Sequence, residues 1–254
     1  MDHQQELISV IMPAYNATKT LPLAVRSVLA QSWQNFELII IDDCSTDETA
    51  DLALGFAQAD PRVRLLRNPR NSGASVTRHN GVIAAKGQWL AFLDSDDAWE
   101  PSKLQKQMAL QKARNADLVF TGSAFMDSKS NAKGWTLHVP ETIGYRKLLK
   151  QNLISNSSVV VRKERYLECE YLGEGLHEDF VCWIQMLRGG ALACGIDEPL
   201  LIYRLSATSK SGNKLKAAKM NWNAYRAAGL SIPTAAYYMA FYAINSLRKY
   251  KNLK

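Results

Sequence analysis

In AFLDSDDAWEP, residues 91–101, three carboxylates stand within four positions: Asp94, Asp96 and Asp97. Like charges at that spacing repel. The cluster therefore either lies in water at the end of an apolar run or faces a cation that makes the repulsion useful. Asp42 and Asp43 close another apolar run, FELIIIDD, and Glu178 and Asp179 open HEDFVCWIQML. Taken alone, Glu178–Asp179 reads as an acidic first turn favoured by a helix dipole.

The elements that must position these groups alternate along the first hundred residues. LISVIMPAY (7–15), FELIIIDD (36–43), VRLLRN (63–68) and QWLAFLDSDD (88–97) read as strands. TLPLAVRSVLAQ (20–31), with Leu21, Val25, Val28 and Leu29 on one face, STDETADLALGFAQ (45–58) and SVTRHNGVIAAKG (75–87) read as the helices between them. This alternation predicts an α/β fold with a mostly parallel sheet and helices on both faces. In such sheets ligands bind outside the carboxyl ends of strands. Tyr15 and Asn16, Asp42 and Asp43, and the Asp94–Asp97 cluster all fall at such ends. Farther on, a helix is predicted over 102–116, strands over 117–127 and 199–205, a strand leading into a helix over 155–166, and an amphipathic helix over 176–190.

With 254 residues and 47% hydrophobic content, the chain suits one large domain or a domain with a small appendage. MDHQQEL lacks the basic flank and apolar core of a secretory signal, which predicts a cytoplasmic protein. Cys44, Cys169, Cys182 and Cys194 form no C-x-x-C pair and read as reduced thiols. The net charge of +7 is unevenly spread: Pro199–Lys254 holds ten Lys and Arg and no acid, leaving the first 198 residues at −3. Such a tail suits nucleic acid, an anionic membrane or an anionic substrate.

The ordered series SVIMPAYN, LIIIDDCSTDET, NSGASVTRHNGVIAAKG, AFLDSDDAWEPSKLQKQ, EDFVCWIQML and YRLSATSKSGNK, over roughly residues 7–214, resembles the inverting, GT-A fold glycosyltransferases of family 2, in particular those building bacterial surface polysaccharides such as O-antigen and capsule. The resemblance implies a catalytic domain over 1–214, with a nucleotide-sugar half to about residue 100 and an acceptor half beyond it, and a helical extension over 215–254. It implies that Pro13, Tyr15 and Asn16 lie along the nucleotide base, that Asp43 accepts a base N–H, and that Asp42 is structural. Asn71, Ser95 and Arg204 join the nucleotide-sugar site, and Arg78 lies near the diphosphate. Asp94 serves the ribose and the metal, Asp96 binds Mn2+ or Mg2+, and Asp97 stands behind them. Asp179 is the general base and Glu178 its neighbour. Where the family has Asn after the arginine this chain has His79, read as a packing residue. Where many relatives have His it has Leu205, and Lys210, with Ser209 and Ser211, is the alternative phosphate partner.

The implied reaction moves a hexosyl or N-acetylhexosaminyl group from a nucleotide sugar, a UDP-sugar first, to a polyprenyl-diphosphate-linked glycan. Residues 232–254 read as a helix with Tyr237, Phe241, Ile244 and Leu247 on one stripe and Tyr238 and Tyr242 beside it. It is too short in apolar residues to span a bilayer but suits an anionic inner-membrane surface. Two competing readings are a nucleotidyltransferase, which lacks a Gly-rich basic triphosphate loop here, and a nucleic-acid-binding protein. The aromatic residues of the tail form one stripe and do not alternate with basic ones, so no nucleic-acid partner is expected.

Overall fold

The run ISVIMPA forms β1 (Ile8–Ala14), buried along its whole length. The computed structural model describes residues 6–171, 173, 176–205 and 214–251, with backbone alone for 214–216 and 246–251. β1 pairs in parallel with β2 (Phe36–Asp42) on one side and β4 (Trp89–Phe92) on the other, and β2 pairs in parallel with β3 (Val63–Arg67). The sheet continues from β4 through β8 (Val160–Arg162), β6 (Leu118–Met126) and β9 (Ala193–Arg204) to β5 (Ala98–Trp99), with β7 (Ala132–Leu137) paired to β6. The β6–β9 ladder is parallel; β8, β5 and β7 join antiparallel. The longer registers are the parallel ones.

Period-two burial gives the sheet two apolar faces. Ile8, Val10 and Met12 meet α1 (Leu21–Leu29), α2 (Thr49–Ala59) and α4 (Lys103–Arg114). Ile11, Ile39, Ile41, Leu90 and Phe92 meet α3 (Ala74–Ala84), α7 (Glu178–Arg188), α8 (Lys214–Ala227) and α9 (Ile232–Lys251). The helices α5 (Tyr145–Lys150) and α6 (Lys163–Leu167) fill in around α7. Gly81 lets α3 settle on the sheet: a Cβ there would come within 2.6 Å of Ile11 Cγ2 and 2.7 Å of Ile41 Cδ1. The C-terminal helices are part of this core, since α8 supplies Ala224 and Tyr225 and α9 supplies Ala235 and Tyr238. All four cysteines are free.

Several sequence expectations shift. The fourth strand ends at Phe92, so Asp94 and Asp96 lie in a turn, closed by Asp97 N donating to Asp94 O at 3.0 Å, and strand alternation does not orient them. The helix expected from Ser45 begins at Thr49, because Ser45–Asp47 are tied to the loop after β1. The last strand begins at Ala193, not at residue 199. In the final helix Tyr238 faces inward while Tyr237 and Ile244 face outward. No described helix is long and apolar enough to cross a membrane.

Candidate active site

The strand order β3-β2-β1-β4 reverses direction between β1 and β4, which makes their carboxyl ends the topological switch point where a ligand crevice opens. Pro13 helps to open it. Ala14 O accepts Asp43 N on the β2 side and Ile11 O accepts Leu93 N on the β4 side, so the N–H that Pro13 lacks would face β4. By then β4 has ended, and no ladder bond is lost. Tyr15 follows, 49% exposed, with a ring available for stacking. Asn16 holds a left-handed backbone (φ 48°), and its side-chain oxygen accepts Thr46 N at 2.9 Å.

Asp42 is fully buried, accepts Ser45 N and pairs with Arg67 at 3.5 Å. Asp43 is buried too. Its oxygens accept Asn68 Nδ2 at 2.8 Å, Ser72 N at 2.9 Å and Gly73 N at 2.8 Å, so it shapes the 68–73 turn on which Asn71 is exposed. These bonds are what the structure displays at Asp43, whose expected partner was a base.

The 94–97 turn rests on a 3₁₀ turn, Asn156–Ser158, that sequence reasoning missed. Ser157 Oγ accepts Asp94 N at 3.2 Å, and Ser157 O accepts Trp99 Nε1 at 2.7 Å. The only signal was SNSS, a cluster of small polar residues ahead of a β run. Asp94, Ser95 and Asp96 are half-buried, and Asp97 is 1% exposed. Asp97 Oδ1 accepts the Arg204 amide at 2.9 Å, while Oδ2 is buried without a partner among the described residues. Arg204 closes the assembly: its Nε donates to Asp96 O at 2.8 Å and its Nη1 to Ser130 Oγ at 2.9 Å and Asp127 O at 3.2 Å. Burial, then the neighbouring Asp94, push the Asp96 carboxyl up to about 6. Burial, with Asp94 and Asp96 beside it, pushes Asp97 far above the ordinary carboxylate range.

Across the crevice, α7 opens on Glu178 and Asp179 with His177 as N-cap. Arg78, on α3, joins the two sides: Nη1 donates to Glu178 Oε1, and Nη2 to Asp94 Oδ1 at 2.9 Å. Its positive charge also lies in the field of Asp179. His79, the next residue, stacks on Tyr171 at 4.1 Å between ring centroids. Ser209, Lys210 and Ser211 lie outside the described residues.

The donor set fits a hard divalent cation. Five carboxyl groups, Asp94, Asp96, Asp97, Glu178 and Asp179, face two guanidinium groups, Arg78 and Arg204, and burial, followed by mutual repulsion, raises the pKa of Asp96 and Asp97. Among the described residues no three His, Cys, Asp or Glu side chains gather into a complete cage. Sites that hold a hard cation with one or two carboxylates fill the remaining positions with water and substrate phosphate oxygens.

The glycosyl transferase family 2 model matches residues 9–176. The Bacillus subtilis (strain 168) protein TuaG, provisionally named a teichuronic acid biosynthesis glycosyltransferase, is 36% identical over 98% of this chain and 99% of its own length. The Escherichia coli UDP-Glc:α-D-GlcNAc-diphosphoundecaprenol β-1,3-glucosyltransferase WfgD is 33% identical over 98% of both chains. Among solved structures, the mannosyltransferase PcManGT of Pyrobaculum calidifontis, in complex with GDP-Man and Mn2+, superposes with a TM-score of 0.70 over 94% of this chain and 69% of that one, at 13% identity, which bears on the fold. The parallel β1–β4 half, its acid-lined switch point, the family match over residues 9–176 and relatives similar over nearly the whole chain agree: the chain is a GT-A fold glycosyltransferase and belongs to glycosyl transferase family 2.

Proposed function

We propose that this protein is a divalent-metal-dependent, inverting transferase that moves a hexosyl or N-acetylhexosaminyl group from a UDP-sugar to a hydroxyl of a polyprenyl-diphosphate-linked glycan. The observation that carries this reading is the meeting of the acid-rich 94–97 turn with the first turn of α7 across the switch-point crevice. The name of the E. coli relative supplies the donor and acceptor classes.

Tyr15, exposed at the end of β1, offers its ring to the base, and Pro13 lies beside it where β4 has already ended. Asn16 and Asp43 set the loops around the nucleoside, and Asn71 is exposed on one of them. Asp94 faces the ribose, and Asp96 would hold Mn2+ or Mg2+, with Asp94 as a second ligand. Arg204 keeps that turn in shape, and Ser95, half-buried within it, joins the nucleotide-sugar site. When bound, the cation shields the charge that builds on the departing nucleoside diphosphate. Asp179 takes the proton from the acceptor hydroxyl as its oxygen attacks the anomeric carbon. The bond from that carbon to the β-phosphate oxygen breaks on the opposite face, so the configuration inverts.

The outward stripe of α9 supports contact with an anionic membrane at the cytoplasmic face. Ile232 (62%), Tyr237 (54%) and Ile244 (50%) are exposed, and Phe241 lies beside Tyr237 with Lys150 Nζ 4.8 Å above its ring. Arg146 and Lys147 on α5 are exposed nearby, at the helix that packs on α9. Aromatic residues with basic neighbours suit the headgroup layer.

A screen of nucleotide sugars with Mn2+, and again after chelation, tests the activity. The expected result is metal-dependent consumption of one donor, and indifference to chelator overturns the metal assignment. Asp179→Asn is expected to keep UDP affinity and lose at least about 100-fold in turnover, the scale of general base catalysis. Near-normal turnover removes Asp179 from the base role.

A further inference from the structure

Arg78 is 6% exposed, and its guanidinium is shared between two elements far apart in sequence: Asp94 in the β4–β5 turn and Glu178 in the first turn of α7. Each outer nitrogen donates to one of these carboxylates, and Nε is buried without a partner among the described residues. Asp179 and the buried Tyr166 hydroxyl are the other polar groups that its charge feels. A guanidinium grips a diphosphate by presenting two parallel N–H groups along one edge. Here Nη1 and Nη2 are committed to carboxylates on different elements, and the edge that includes Nε is turned into the protein.

We infer that Arg78 is a positioning residue of the transfer reaction, a strut that sets the first turn of α7 against the 94–97 turn, and not a binder of the donor diphosphate. Successive helical residues point about 100° apart. With Glu178 drawn to Arg78, the direction of Asp179 is therefore fixed relative to Asp94. The strut acts on the separation between the base on the acceptor side and the carboxylates on the donor side. Glu178 serves it by the same contact, which gives this acid a role distinct from that of Asp179. The inference deepens the proposed function and rests on Asp179 being the base.

The test uses the full chain with Mn2+ and two conservative variants, Arg78→Lys and Glu178→Gln, each checked for an unchanged circular dichroism spectrum. Glu178→Gln leaves the arginine in place, so it remains informative should the arginine variant fold poorly. UDP affinity is measured by calorimetry, kcat and KM with UDP-glucose, and amide exchange over residues 178–182 by mass spectrometry. A strut predicts UDP affinity within about threefold of wild type in both variants, because no phosphate contact is lost. It also predicts kcat down about 100-fold at unchanged donor KM, the scale of a misplaced reacting group. Exchange at the first turn of α7 rises in both, and the double variant is no worse than the poorer single one. A diphosphate binder predicts instead that Arg78→Lys weakens UDP by about tenfold or more, the range for a lost charge-assisted bond, while Glu178→Gln binds UDP normally and keeps the α7 exchange of wild type. That pattern overturns the inference. Failure of the wild type to turn over any nucleotide sugar counts against the proposed function, and UDP affinity and amide exchange still decide the role of Arg78.

Discussion

Asp97 accepts the Arg204 amide on one oxygen and leaves the other buried without a described partner, beside two more carboxylates. Its folded-state pKa is raised above the unfolded value, so the folded protein binds the proton more tightly and loses stability as pH rises above the ordinary carboxylate range. In chelator, the melting temperature is therefore expected to climb as pH falls from 8 toward 5. Asp97→Asn, which keeps the oxygen acceptor without a titrating proton, is expected to flatten that slope in thermal scans. An unchanged slope in the variant would assign the effect elsewhere. Asp97→Ala removes the acceptor for a buried amide and is expected to lower stability by about 1–3 kcal/mol. The acids were legible as a cluster, but their individual surroundings were not. Asp94 and Asp96 look like strand neighbours in LDSDD because the apolar run continues to Leu93. The backbone turns at Asp94 all the same, because Ser157, sixty-three residues on, caps its amide. Long-range bonds of this kind leave no periodicity to read.

At the scale of elements, α3 carries Arg78 and its seating depends on Gly81. Alanine there gains about 1 kcal/mol of helix propensity, but its Cβ would overlap Ile11 and Ile41. Overpacking of a filled core costs about 1–3 kcal/mol, so Gly81→Ala is expected to be destabilising in denaturant titrations, with turnover falling as Arg78 moves. A stabilised variant would mean that the sheet yields freely at this contact. The loop ahead of α2 is set by Asp47, exposed yet held at about 2: some burial raises its pKa, and bonds from Thr18 (2.5 Å) and Thr49 (2.5 Å) more than offset that. Its support for the loop is present above pH 4 and is expected to fade as pH falls toward 2, visible as faster proteolysis around Ser45–Thr49. These same bonds explain why STDET, which has the composition of a helix start, forms a tie between loops. The alternating strands and helices of the first hundred residues were readable because each buries a regular face. Short or exposed elements were not: besides the 3₁₀ turn, β5 has two residues, α5 has six, and β7 exposes most of AKGWTL and so shows no alternation.

For the molecule as a whole, the membrane reading and the core share one helix. Removing residues 233–254 would strip Ala235 and Tyr238 from the core along with the outer stripe, so truncation confounds unfolding with release. Replacement of exposed residues separates the two: Tyr237→Ser with Ile244→Ser is expected to leave thermal stability within about 0.5 kcal/mol, as for surface substitutions. The same pair should move the protein from sedimenting anionic vesicles to the supernatant, and unchanged sedimentation at low salt would exclude α9 as the contact. The amphipathic tail was legible from its charge and aromatic spacing. Its inward attachment was not, because Tyr237 and Tyr238 are chemically alike and only packing against α5 and α8 tells them apart. The position of α9 has a consequence for synthesis. Helix α7, which bears Glu178 and Asp179, packs against α8 and shares its core with α9, both of which are synthesised after it. A nascent chain halted before α9 has β1–β4 laid down and the core around α7 lacking Ala235 and Tyr238. Synthesis through α9 thus completes the cover of α7 and presents the outward aromatic stripe in one event.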